Sequence, residues 1–165
     1  MIIRSNNIME EYLRTLNYDF RTTPYELPEA IASVLDKGFS QHDNTILLTA
    51  LNEQTTLPVF NDDQERMDFE YTNNKFTTDS PEEDDELDYL RRTLECANRI
   101  ANKLKEEFPG KIFKVLVFFN ETNFESDHMA LFASSSVRFY EVKQPDGEND
   151  LESYEGEAVL EIEVQ

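Results

Sequence analysis

The side chains able to do chemistry are few and scattered. The two histidines, His42 and His128, fall in loop-like stretches and belong to no catalytic spacing. A nucleophile needs a positioned base beside it. Ser134, Ser135 and Ser136 have no flanking glycine to permit a strained nucleophile elbow, so they read as small residues where a strand bends. Cys96 is the single cysteine and lies within a helical pattern, which predicts a buried thiol rather than a reactive one. One cysteine forms no intrachain disulfide and no Cys/His ligand set. Gly38, Gly110, Gly147 and Gly156 stand apart, whereas loops that cradle phosphate need clustered glycines. Asp146, Glu148, Asp150 and Glu152 alternate as loop oxygens would, but Gly147 is misplaced for a calcium-binding loop. Asp62 and Asp63 make no better metal site. The expectation is a protein without cofactor or catalytic centre. A hydrolase using paired carboxylates is the enzymatic alternative, and it rests on the abundance of acids alone.

That abundance is unevenly placed. The chain has 165 residues and a formal charge of −20. Residues 61–90 carry twelve acids against two bases, and 121–165 again twelve against two. Between them, 91–120 has three acids and seven bases. Such a field repels nucleic acid and anionic lipid and draws in basic proteins at long range. The opening residues lack the apolar core of a signal peptide, and no run approaches a membrane span. A cytoplasmic protein that binds neither nucleic acid directly nor membrane is the expectation. With twelve Phe and seven Tyr the chain has the rings for a packed core despite its charge.

The elements that must position these residues follow from periodicity. Helices are predicted over 6–16, with Ile8, Met9, Tyr12, Leu13 and Leu16 on one face, and over 27–37, ended by Gly38. Residues 45–51 and 56–60 read as the strands of a β-hairpin around 52–54, with Pro58 keeping the second at an edge. Residues 61–71 fit a short helix capped by Asn61, or a strand through Met67, Phe69 and Tyr71. A flexible acidic loop is expected around 72–80 and another around 143–156. Ser80 to Glu83 form a capping box with Pro81 at the first helical position. The long helix that follows shows Leu87, Leu90, Leu94, Ala97, Ala101, Leu104 and Phe108 at spacings of three and four. Strands are predicted over 111–120, within 129–142 where the serine run interrupts, and over 157–164. Together these make one α+β domain spanning 1–165: N-terminal helices, a β-hairpin, one long central helix and a C-terminal antiparallel β-meander, packed layer on layer.

In size, acidity and α+β build the chain resembles the small cytoplasmic immunity proteins with which bacteria block basic nuclease toxins. That resemblance implies a non-enzymatic protein that neutralises a basic protein partner. The candidate contact residues are Asp62, Asp63, Glu65 and Asp68, then Glu82, Glu83, Asp84, Asp85, Glu86 and Asp88. Asp146, Glu148, Asp150 and Glu152 form a second patch. Phe69, Tyr71, Phe76, Tyr89, Phe124 and Tyr154 lie near the acids and could anchor such an interface. The alternative is a scaffold or regulatory domain, self-associating through the 87–108 seam as a homo-oligomer.

Overall fold

Strand β5 (Phe113–Asn120) is the axis of the molecule, and seven of its eight residues are buried. A strand covered on both faces has no need of polar alternation, which is why its sequence is a nearly unbroken apolar run. The computed structural model describes residues 1–19, 25–78, 85–120, 123–124, 130–131, 133–143 and 149–165. In chain order the elements are β1 (Ile2–Ser5), α1 (Asn7–Leu16), α2 (Glu29–Asp36), β2 (Phe39–His42), β3 (Thr45–Leu48), the single turn α3 (Thr49–Asn52), α4 (Asp63–Asn73), β4 (Phe76–Thr77) and α5 (Glu86–Glu107). After β5 come the short pair β6 (Asn123–Phe124) and β7 (Ala130–Leu131), then β8 (Ser134–Glu141), a 3-10 turn at Leu151–Ser153 and β9 (Ala158–Val164). The fold is α+β. Its main sheet has the order β1-β9-β5-β8-β4, with every pairing antiparallel.

Alternation along the three long strands sorts side chains onto two faces. On the first face Val115, Val117, Phe119, Val137, Phe139, Leu160 and Ile162 pack against α5 and the N-terminal helices. The predicted seam is what α5 offers there: Leu90, Leu94, Ala97, Ala101 and Leu104 are all fully buried. The seam is therefore core, facing the sheet. On the second face Leu116, Phe118, Tyr140 and Val159 meet Met67 of α4 and Leu151 of the 3-10 turn.

Several local expectations need correction. The chain opens with an edge strand, not a helix. β1 pairs with β9 from Ile2 opposite Glu163 to Ser5 opposite Leu160. The hairpin partner of β3 is β2, not 56–60. Asp43 and Asn44 turn between them with φ of 45° and 63°, the doubly left-handed turn that matches strand twist. Residues 56–60 form no strand; Pro58 offers no amide hydrogen and Val59 is 94% exposed. β3 ends at Leu48: Thr49 still donates to the opposite Gly38 carbonyl, at 3.0 Å, but starts a helical turn. The stretch 72–80, expected as loop, holds the end of α4 and the edge strand β4, with Asn74, Phe76 and Thr78 buried. The serine run does not interrupt its strand: Ser134, Ser135 and Ser136 pair with Asn120, Phe119 and Phe118. Finally, α5 begins at Glu86 with Asp85 as its cap. The capping box at 80–83 lies outside the described residues.

Candidate functional site

Helix α4 begins with Asp62, whose carboxylate accepts the amide of Glu65 at 2.9 Å. Glu65 returns to the amide and side chain of Asn61, so two orphan donors at the helix start are satisfied reciprocally. The cap is Asp62, one residue later than Asn61. Three and four residues apart, Gln64, Met67, Asp68 and Tyr71 form one face of this helix, turned toward the second face of the sheet. There they wall an open groove of about 230 Å3 whose floor is Leu116 and Tyr140. The opposite wall is Asn149 and Tyr154, flanking the 3-10 turn.

Aromatic contacts fix this wall geometry. Tyr71 meets Tyr140 edge to face at 6.1 Å, and Tyr154 meets Phe118 likewise at 5.4 Å. Arg138 is held between Tyr71 and Phe118, its guanidinium carbon 4.6 and 5.5 Å from the two ring centroids. In the sheet Leu116 stands between Arg138 on β8 and Glu161 on β9. Glu161 is fully buried, pairs with Arg4 and accepts from Asn149 at 2.5 Å, with the Lys114 ammonium at 4.0 Å. Partners of this number offset the hydration that a buried carboxylate gives up. Burial raises the Tyr154 phenol, and nearby Tyr71 and Glu161 push it the same way.

Among the described acidic candidates, Asp68 alone lines the groove. Asp68 lies on one wall of the groove, and Asn149 on the other directly precedes Asp150 and Glu152. Asp150 caps the 3-10 turn through the amide of Glu152, and Glu152 accepts the amide of Asn7 at 2.9 Å, where α1 starts. Asp63 is exposed in the first turn of α4. Asp68 accepts from Gln64 at 2.9 Å. Residues 85–88 are elsewhere. Asp85 caps α5, which packs on the first face, and Asp88 pairs with Arg91 at 2.6 Å. Glu82, Glu83, Asp84, Asp146 and Glu148, with the side chain of Glu86, lie outside the described residues.

Of the aromatic candidates, Tyr71 and Tyr154 line the groove. Phe69 is half-buried against Phe60, Phe76 is in the core and Tyr89 is half-buried. The side chain of Phe124 is outside the described set. Sequence reasoning missed Leu116, Tyr140, Arg138 and Glu161. Leu116 sits on β5, whose nearly continuous apolarity hid its second face, and Tyr140, Arg138 and Glu161 sit on β8 and β9, whose pairing with β5 is not given by periodicity. The register of β5 against β8 and β9 reveals it.

The other chemical candidates resolve into structure. Cys96 is fully buried in α5, and burial pushes its thiol up to about 12. Ser135 is buried and shares a 2.5 Å hydrogen bond with Thr93. His42 is exposed in the hairpin. Among the described residues no three His, Cys, Asp or Glu side chains converge as metal ligands, and no helix is long and apolar enough to cross a membrane.

No curated protein and no solved structure matches this chain. One family model does, described as the uncharacterized protein PM0498 family, and it matches residues 4–164. With nearly every residue inside that match, the chain belongs to this family.

Proposed function

We propose that this is a non-enzymatic binding protein that neutralises a basic protein partner. The observation that carries the reading is the groove on the second face. Helix α4 and the 149–154 segment, far apart in sequence and each drawn from an acid-rich stretch, face each other there across a tyrosine-lined cleft that carries Asp68. Opposite fields speed encounter, whereas a few buried aromatic contacts set residence time. Tyrosine beside acid is suited to both tasks.

The finer proposal is an immunity protein of bacterial type, cytoplasmic, whose partner is a basic toxin of the nuclease kind. Its support is the character of the chain: small, strongly acidic, α+β, with its cysteine and its serine run both spent on packing.

The test begins with low-salt capture from the native organism, identification of the bound protein and reconstitution from purified components. The expected result is a basic partner released by salt, whose toxicity is suppressed by co-expression. Charge reversal at Asp63 and Asp68 weakens the complex, and reversal at Asp85 and Asp88 leaves it intact. Loss of binding only with the Asp85 and Asp88 variants would move the interface to α5 and overturn the mapping. A partner that is acidic or salt-insensitive would overturn the reading itself.

A further inference from the structure

We infer that the groove receives one guanidinium side chain, an arginine of the partner, with the Asp68 carboxylate as its acceptor at the mouth. The inference rests on the binding reading above and specifies its chemistry.

Size comes first. A cavity of about 230 Å3 falls below the roughly 300–1,000 Å3 of sites that enclose small molecules, and it suits a single long side chain. The walls come second. Tyr71, Tyr140 and Tyr154 line it, and a cation within about 6 Å of a tyrosine face is attracted by the ring's negative centre; Arg138 already takes Tyr71, so this contact falls to Tyr154. The molecule already uses this contact on both sides of α4. Arg138 lies 4.6 Å from Tyr71, and Arg66 lies 4.6 Å from Phe60.

Charge decides the sign of the occupant. Asp68 is the one acidic side chain among the described lining residues, and none of them is basic. Its Oδ1 accepts from Gln64, and the side chain is exposed to a visitor. Glu161, beneath the floor, is already engaged by Arg4 and Asn149 and needs no further cation. Arg138 does not recruit an anion to the mouth, because its guanidinium is held between two rings and does not line the groove. Between the basic side chains, arginine fits better. Its planar fork stacks on a ring and bridges a carboxylate, whereas the lysine ammonium is a strongly hydrated point charge.

The test titrates the full chain with three peptides of one length, carrying four arginines, four lysines or four citrullines, followed by amide NMR at low salt. The arginine peptide is expected to bind about tenfold tighter than the lysine peptide, a difference of about 1.4 kcal/mol. Shifts should concentrate at 64–71 and 149–154. Asp68→Asn and Tyr154→Leu should each cost about tenfold, the second keeping apolar packing on Phe118 while removing the ring. Unchanged thermal unfolding establishes that both variants are folded. Equal binding of arginine and lysine peptides, indifferent to Tyr154→Leu, would overturn the guanidinium slot and leave the acidic binding surface standing. Citrulline binding as well as arginine would also overturn it. No binding by either cationic peptide would overturn the slot, and the binding reading is then decided separately by the capture experiment.

Discussion

Glu70 and Asn74 lie one turn apart on α4 and complete the open edges of two separate strands. Glu70 accepts the amide of Ile46 on β3 at 2.9 Å and that of Glu141 on β8 at 2.7 Å. Asn74 accepts the amide of Leu48 at 2.9 Å and donates to the carbonyls of Ile46 and Phe139. β4 covers β8 only at Ser136 and Val137. Beyond it, two side chains of a helix do what a strand would do, tying the hairpin to the main sheet. This fastening holds α4, and with it one wall of the groove.

Removing either side chain should therefore be costly. Glu70→Ala strands two backbone amides, and Asn74→Ala strands one amide and two carbonyls. At about 1–3 kcal/mol per buried unsatisfied group, each variant should lose several kcal/mol in urea unfolding. A loss within the range of an ordinary surface substitution, about 0.5 kcal/mol, would mean the edges find other partners.

Glu70 also predicts a pH dependence opposite to ordinary acid denaturation. Burial raises its carboxyl above the usual value of 4.5, and the two amides and Lys143 offset this only in part. Between 4.5 and that raised value the folded chain holds a proton that the unfolded chain releases. Its contribution to stability is thus full below 4.5 and is lost as pH rises through the folded value. Wild type minus Glu70→Gln, measured by denaturant unfolding, should widen in favour of wild type as pH falls from 7 toward 5. A difference that narrows would reverse the assignment.

Asp62 allows charge to be separated from capping. Asp and Asn cap helices about equally, whereas Ala costs about 1 kcal/mol. Asp62→Asn should leave stability unchanged and weaken binding of a basic peptide. Asp62→Ala should lower both. Equal binding by wild type and Asp62→Asn would reduce this residue to a cap.

Cys96 should be silent. Fully buried, with its thiol pushed up to about 12, it should resist iodoacetamide at pH 8 in the folded protein and react readily in denaturant. Alkylation at the same rate in both states, read by mass spectrometry, would show that α5 opens.

The sequence alone determined the parts whose signals are local. The period of Leu90, Leu94, Ala97, Ala101 and Leu104 marked the buried face of α5, because helical geometry puts those spacings on one side. The apolar run at 113–119 marked a central strand, because only a strand covered on both faces can do without polar residues. Even the burial of Cys96 was legible. Pairing was not. β1, the choice of β2 over 56–60 as partner of β3, and the short β4 all depend on backbone groups meeting across long separations, which side-chain periodicity does not encode. The groove lies at the same remove. Asp68 and Tyr154 could each be suspected from sequence, but only the register of β5 with β8 and β9 sets Leu116 and Tyr140 beneath them. The same distinction governs the acids. Composition fixed the strength of the field, and folding decided that Asp68 faces Asn149 and Tyr154 across the groove while 85–88 lies on an element of the opposite face.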